Sequence, residues 1–194
     1  LSAALEASDI NNNYAATRMG YSNSKVLISG GPARYNEIAY AGAEDVLLSN
    51  GNFSSNISKG TGTIVTDSTK AHTGLGSLLV PPSSSGFTYT VAGIAKKNYS
   101  VAVWVKPTSA NAGQAQLYYQ VGTNPAVQAT ATLGKSAAGW YLLEMTIPSN
   151  AITGSDNLVV GCKNGSSADL YFDDFKFQPT ASSATAYVYD KKTG

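Results

Sequence analysis

The sequence predicts an all-β protein, built as an antiparallel β-sandwich with a β-rich arm at its N-terminal end. Short runs rich in Val, Thr and aromatic residues recur along the chain, separated by clusters of Gly, Pro, Asn and Ser, which is the pattern of strands joined by turns. No stretch of about ten residues or more has the apolar spacing of an amphipathic helix. Without helical crossovers a parallel sheet is not expected, so the strands should pair mostly antiparallel.

Three zones follow one another along the chain. Residues 1–41 are predicted to form the arm, because short apolar pieces alternate there with polar turn clusters. Residues 42–179 are predicted to form the sandwich, and residues 180–194 a linker followed by the start of another repeat. The strands predicted in the sandwich are 61–66, 76–80, 87–91, 99–106, 114–121, 126–133, 139–147, 157–163 and 168–177.

Composition argues against several functions. The chain of 194 residues has a net charge of +1, and nucleic-acid binding, which needs several phosphates neutralised from one face, is not expected. No apolar run approaches the length of about 18 residues that spans a bilayer, so membrane insertion is not expected either. The single cysteine, Cys162, cannot form an internal disulfide and is predicted to be a small buried hydrophobe. We expect a monomer.

Alternation in two predicted strands indicates candidate ligand-binding residues. In 99–106 the valines take one face and Trp104 the other, and in 114–121 the face away from the aliphatic residues carries Gln116, Tyr118 and Gln120. Sugar sites pair a flat aromatic ring with amide groups that bond hydroxyls. If the two strands are neighbours in one sheet, these residues form such a surface. The alternative is that Trp104 belongs to the core, or that the arm covers this face.

Several short motifs occur in a characteristic order between residues 42 and 178. They are GAED at 42–45, KAHTG at 70–74, SLLV at 77–80, YSVAVWVK at 99–106, Trp140, and LYFDDF at 170–175. Together they resemble jelly-roll carbohydrate-binding modules of the family 4/9 type and their galactose-binding-like relatives. The resemblance implies a jelly-roll sandwich without catalytic activity, which binds a polysaccharide or a cell-surface glycan.

The two ends of the chain resemble a different family. The tail YVYDKKTG at 187–194 resembles the start of a tyrosine-aspartate repeat of the Rhs type, and the arm at 9–21 is similar to a degenerate version of such a repeat. Proteins of that family are large, bacterial, and secreted or attached to the cell surface. The resemblance therefore implies that the sandwich is inserted into a protein of that kind.

Glu44, Asp173 and Asp174 are the candidate metal ligands. Asp173 shares its parity with Phe175 and Phe177, so its carboxylate is expected to point toward the core, where a charge or donors must satisfy it. The resembled jelly rolls often hold a structural calcium ion, which prefers oxygen ligands, between an acidic residue of the opening strand and an aspartate of the closing strand. Glu44 and Asp173 match those positions, and Asp174 or Asp45 substitutes if a bulge changes the parity. The alternative is that these acids are simply solvated at a rim.

Catalysis is not expected from the sequence. A glycosidase usually needs two carboxylates close together, and the metal hypothesis accounts better for the acids that are candidates to meet in space. His72 is the only histidine; it lies in a Gly/Thr turn, and no Gly-x-Ser-x-Gly nucleophile motif accompanies it. The main interpretation is therefore a glycan-binding module that is not an enzyme. Two alternatives are kept: a structural spacer or interaction domain with no ligand, and, less favoured, a glycan-active enzyme.

Overall fold

The computed structural model describes residues 5–107, 114–130 and 135–189. The strands are β1 (Glu6–Ser8), β2 (Tyr14–Gly20), β3 (Lys25–Gly31), β4 (Ala39–Ala41), β5 (Ile57–Ser58), β6 (Thr63–Thr66), β7 (Gly76–Val80), β8 (Ser84–Val91), β9 (Tyr99–Pro107), β10 (Ala115–Val121), β11 (Val127–Thr130), β12 (Lys135–Ala137), β13 (Trp140–Ile147), β14 (Leu158–Asn164), β15 (Leu170–Pro179) and β16 (Ser183–Ala186). Short 3-10 turns lie at Tyr35–Glu37, Ser68–Lys70 and Ser149–Ala151. The predicted strand end at 131–133 and the predicted repeat residues 190–194 lie outside the described residues.

Two sheets face each other and enclose the main core. The five-stranded sheet has the order β11-β10-β14-β8-β5, and the seven-stranded sheet has the order β12-β13-β9-β15-β7-β6, with β4 also paired to β15. Every strand pair among the described residues is antiparallel. The predicted antiparallel β-sandwich is therefore confirmed. Within the described ranges, no helix has the length and apolar content needed to cross a bilayer.

Alternating side chains from the two sheets build the core. On β9 the three valines are 0% exposed, and Leu117 of β10 is 1% exposed, as the alternation predicts. Rings interlock across the sheets; for example, the centres of Phe87 and Phe175 lie 5.8 Å apart. Full burial of such a side chain contributes about 1.5–3 kcal/mol. Cys162 is buried on β14 and forms no disulfide, in agreement with its predicted role.

A β-bulge in β15 changes the side to which Asp173 points. The register with β9 shifts just after Asp173, and Asp174 has a left-handed backbone with φ of 52°. As a result Phe172 and Phe175, three positions apart, both lie in the core at 0% exposure. Asp173 pairs with Trp104 on the other side of the sheet. The expected direction of Asp173 is wrong, because strict alternation holds only for a strand without a bulge. Its carboxylate is nevertheless buried, at 0% exposure, and backbone donors satisfy it, as expected.

The arm and the C-terminal segment form a third sheet. Its strand order is β1-β2-β3-β16, so the C-terminal strand β16 pairs with β3, with Ser183 opposite Gly31. Beside this pair, the Ser182 hydroxyl donates to the Pro32 carbonyl, 150 positions away in the sequence. A small apolar core belongs to this region: Ala16, Leu27, Ile28, Ala33, Ile38 and Tyr40. The predicted β-rich arm is confirmed, and residues 183–186, which the sequence places in a linker, are a strand of the same sheet.

Arg18 joins the arm to the sandwich at a buried position, where it is 5% exposed. Its Nε donates to the Tyr35 carbonyl and its Nη1 to the Ser55 carbonyl, both at 3.1 Å, and its Nη2 donates to the Tyr89 hydroxyl at 2.6 Å. The Cζ atom lies 4.4 Å from the centre of the Tyr35 ring. No carboxylate pairs with Arg18 among the described residues. Because a buried guanidinium must be hydrogen-bonded, these acceptors fix the arm against the sandwich.

Glu37 is a second buried charge at the same interface, at 0% exposure. It accepts hydrogen bonds from Lys97 Nζ and the Tyr99 hydroxyl, both at 2.8 Å, and from the Arg34 backbone N–H at 2.9 Å. Burial alone would raise the pKa of Glu37, but the bonds from Arg34, Lys97 and Tyr99 outweigh it and hold the pKa below its ordinary value. The fold therefore favours the charged carboxylate.

Candidate functional site

The face of the five-stranded sheet that points away from the core carries a tyrosine between two glutamines. On β10, Gln116, Tyr118 and Gln120 are partly exposed, because Leu117 and Val121 point into the core. Direct register partners lie on the same face of a sheet, and Tyr118 pairs with Gly161 of β14. The sequence therefore placed these three residues on one face correctly.

The ring of Tyr118 lies across the neighbouring strand. A Cβ atom on Gly161 would come within 2.8 Å of the Tyr118 hydroxyl and 2.9 Å of its Cζ, so only a glycine leaves room for the ring. Beyond Gly161, the hydroxyls of Tyr118 and Thr88 are 3.1 Å apart. Burial raises the pKa of the Tyr118 phenol above its ordinary value, so the hydroxyl stays protonated near neutral pH. The contact with Gly161 and the hydrogen bond with Thr88 therefore fix the hydroxyl end of the Tyr118 ring over the sheet.

Polar groups flank this ring along β10. Gln116 pairs in register with Lys163 of β14, and its Oε1 is buried without a hydrogen-bond partner among the described residues. On the other side, Nε2 of Gln120 donates to the Asn124 carbonyl at 2.9 Å. We call the surface formed by Tyr118 with Gln116, Gln120, Lys163 and Thr88 the platform. It places amide, ammonium and hydroxyl groups beside one flat ring.

Trp104 does not join the platform. Its strand, β9, lies in the seven-stranded sheet, whereas β10 lies in the five-stranded sheet, so the core of the sandwich separates Trp104 from Gln116, Tyr118 and Gln120. The condition that the two strands are neighbours in one sheet is not met, because the chain crosses from one sheet to the other between them. Trp104 is nevertheless on the outer face of its sheet and partly exposed, so it does not belong to the core.

His72 and Asp174 form a cluster beside Trp104 that the sequence does not reveal. His72 Nδ1 lies 2.6 Å from Asp174 Oδ2, and the Thr73 hydroxyl donates to Oδ1 at 2.7 Å; the Tyr40 hydroxyl donates to the same oxygen. The His72 ring stacks on the Trp104 ring with centres 3.9 Å apart. These contacts attach the turn containing His72 to the bulge of β15. No hydroxyl is bonded to the second ring nitrogen among the described residues, so a nucleophile–histidine pair is not formed there.

The spacing of phenylalanines in β15 is a signal that could have located this cluster. Phe172 and Phe175 are three positions apart, which strict alternation cannot bring to one face. A bulge is the simplest way to bury both rings. Such a bulge turns Asp173 and Asp174 together toward the opposite face, where the turn at 72–73 lies.

The three predicted metal ligands come to the same turn, but their hydrogen bonds do not fit a calcium ion. Oε1 of Glu44 accepts the backbone N–H groups of residues 75 and 76. Oδ2 of Asp173 accepts those of residues 72 and 73 at 2.8 and 3.2 Å. Donor groups directed at the carboxylates repel a cation, and calcium needs six to eight oxygen ligands. No group of three metal-binding side chains occurs among the described residues. Calcium binding therefore rests on the resemblance alone.

Calcium is expected to leave the thermal stability of the protein unchanged, because the backbone N–H groups already satisfy Glu44 and Asp173. The measurement is the melting temperature by circular dichroism in excess EDTA and in millimolar calcium chloride. A rise of several degrees in calcium that disappears in Asp173→Asn would show instead that the turn rearranges around an ion, as the resemblance implies.

Comparison with known proteins gives similarities of fold only. No known protein family and no curated protein matches the sequence. The CBM22-1 xylan-binding domain of Xyn10C from Paenibacillus barcinonensis is 13% identical, with a TM-score of 0.48 over 73% of this chain and 92% of that one. The CBM22-1–GH10 modules of Clostridium thermocellum Xyn10B, solved with xylohexaose, are 14% identical, with a TM-score of 0.46 over 75% of this chain and 26% of that one. TmCBM61, solved with β-1,4-galactotriose, is 20% identical, with a TM-score of 0.39 over 63% and 86%.

Proposed function

We propose that this protein is a non-catalytic module that binds a glycan chain on the platform. The observation that carries the proposal is the Tyr118 ring, which lies over Gly161 with its hydroxyl at Thr88. An aromatic ring fixed in this way presents an apolar surface to the C–H face of a pyranose. The amides of Gln116 and Gln120 and the ammonium of Lys163 supply donors and acceptors for the hydroxyls at the rim of the sugar.

The fixed ring also lowers the cost of binding. Because Thr88 and the glycine already hold the Tyr118 side chain, little side-chain freedom is lost when a sugar stacks on it. Oε1 of Gln116 is buried without a partner, so a rotation of the amide that exposes this atom to a sugar hydroxyl would break no hydrogen bond of Oε1. Affinity for an oligosaccharide should still be modest, since a single stacking ring on an open sheet face buries little area.

Replacing Tyr118 by alanine is expected to weaken binding of a soluble polysaccharide about tenfold, because the stacking surface is lost. The measurement is affinity electrophoresis in gels that contain xylan, galactan or other soluble polysaccharides. Tyr171→Ala is the matched control, since Tyr171 is a partly exposed tyrosine of β15 in the other sheet. Equal retardation of the wild type and Tyr118→Ala, or no retardation of the wild type by any polysaccharide, would refute the proposal.

A structural spacer is the second candidate function, and the third sheet favours it. Strands from both ends of the chain are neighbours in this sheet, in the order β1-β2-β3-β16. Such an arrangement suits a domain inserted into a longer β-rich protein, as the likeness of the two ends to Rhs-type repeats implies. Secretion or attachment to a bacterial cell surface belongs to the same proposal. The spacer and the glycan-binding module differ in the electrophoresis result, because a spacer is not retarded by any polysaccharide.

A further inference from the structure

A cavity of about 330 Å³ lies on the outer face of the seven-stranded sheet, opposite the platform. Its floor is low because the outward residues of β9 include Ser100 and Ala102, which are small. The register partners of Ala102 are Glu144 on the neighbouring strand β13 and Lys176 on the other neighbour, β15. We call this depression the trough. Its volume falls within the range of about 300–1,000 Å³ that is typical of small-molecule sites.

Three separate parts of the chain close the trough. Trp104, with His72 stacked on it at 3.9 Å, lines it next to the small residues of the floor. Tyr40 from β4 and the C-terminal residues Ala186 and Val188 line it as well. The pairing of β16 with β3 carries those C-terminal residues to this position. The sandwich alone therefore does not make the trough; the arm and the C-terminal segment complete it.

Polar groups around the trough lack partners in the protein. Gln178 lines it, and its Nε2 donates to the Ser182 carbonyl at 3.2 Å. This bond orients the amide and leaves Oε1 buried without a partner. Lys176 and Glu144 also line the trough, and no ion pair or hydrogen bond of either side chain occurs among the described residues. A buried acceptor without a partner is uncommon in folded proteins and calls for an explanation.

We infer that the trough is a second binding site, which takes one uncharged pyranose at the end of a glycan chain. Glu144 and Lys176 lie free on opposite sides of the trough, and the third charged lining group, Asp174, already accepts hydrogen bonds from the Thr73 and Tyr40 hydroxyls. A ligand with a net charge of either sign therefore meets a like charge in the trough. Sugar hydroxyls both donate and accept: they donate to Glu144 and, once the Gln178 amide turns toward the trough, to its Oε1, and they accept from Lys176. The Trp104 ring supplies an apolar surface for the C–H face. A volume of about 330 Å³ lies at the lower end of the range of small-molecule sites, which favours a single sugar residue over a longer chain.

The inference is independent of the platform, because the core of the sandwich separates the two faces. The test is a titration of the ¹⁵N-labelled protein with the methyl glycosides of xylose, galactose and glucose, followed by NMR. We expect at least one of them to shift the signals of Ala102, the Trp104 indole and the Gln178 side chain. Ala102→Leu, which fills the floor, and Gln178→Met, which removes the acceptor, should each weaken this binding about tenfold. Thr90→Leu adds the same side chain at an exposed position of β8, in the other sheet, and should leave the binding unchanged.

Two results would overturn the inference: no glycoside shifts the trough signals, or Ala102→Leu binds as the wild type does. A shift by glycine, a zwitterion, in the absence of any shift by the glycosides would also overturn it. Tyr118→Ala distinguishes the two sites. If that variant is no longer retarded by a polysaccharide but still binds the glycoside, both proposals stand. If the wild type is retarded but no glycoside binds, only the trough fails; the reverse result removes only the platform.

Discussion

Replacing Arg18 by alanine is expected to lower the free energy of unfolding by about 3 kcal/mol. The guanidinium is buried and donates to two backbone carbonyls and to the Tyr89 hydroxyl. Hydrogen bonds to a charged group contribute about 1.5–3 kcal/mol each. Part of this loss is offset, because the substitution also removes the cost of burying the charge. Alanine leaves these acceptors unpaired in a cavity between the arm and the sandwich. The measurement is urea unfolding followed by tryptophan fluorescence.

Arg34 provides the matched control for this experiment. It is also an arginine of the arm with its guanidinium over a tyrosine ring, 4.5 Å from the centre of Tyr14, but it is exposed. Arg34→Ala should change the stability by less than about 0.5 kcal/mol, as is usual for surface positions. Equal effects of the two substitutions would show that the arm does not depend on Arg18. Arg18→Lys should give an intermediate loss, since it keeps the charge and loses the planar set of donors.

Replacing Glu37 by glutamine is expected to lower the stability by about 2 kcal/mol at neutral pH, because the bonds from Lys97 and Tyr99 lose their charged acceptor. The effect should depend on pH with a definite sign. The pKa of Glu37 is lower in the fold than its ordinary value, so its contribution is present in full above about pH 4.3, the unfolded value, and is lost as the pH falls through the folded-state pKa. The stability difference between the wild type and Glu37→Gln should therefore shrink in acid.

Urea unfolding of both proteins at neutral pH and at about pH 3 measures this difference. Glu144→Gln is the control, since Glu144 is exposed on β13 and should show only a small difference at either pH. A difference between the wild type and Glu37→Gln that stays constant or grows in acid would contradict the assigned role of Glu37.

The sequence predicts the sandwich well because two patterns decide it. The valines of β9 and the residues around Leu117 of β10 alternate between core and surface, and one buried face fixes the register of such a strand. The same alternation places Gln116, Tyr118 and Gln120 outward correctly. These features depend on neighbours within one strand, which a sequence displays directly.

Features that depend on distant strands escape prediction. Nothing within 99–106 or 114–121 shows that β9 and β10 lie in different sheets, so the sequence does not reveal that Trp104 and Tyr118 lie on opposite faces of the sandwich. The pairing of β16 with β3 joins segments far apart in the chain. The contacts that bury Arg18 and Glu37 do the same. The side to which Asp173 points depends on a bulge. The only sign of this bulge in the sequence is the spacing of Phe172 and Phe175, which are three positions apart and so break the alternation of the closing strand.

The central claim is that the protein holds a sugar against the Tyr118 ring, and a crystal structure tests it most directly. The crystals should contain an oligosaccharide of the polysaccharide that retards the protein most strongly. We expect a pyranose parallel to the ring at about 4 Å, with hydroxyls bonded to Gln116 or Gln120. An ordered oligosaccharide elsewhere on the protein, with the Tyr118 ring bare, would contradict it.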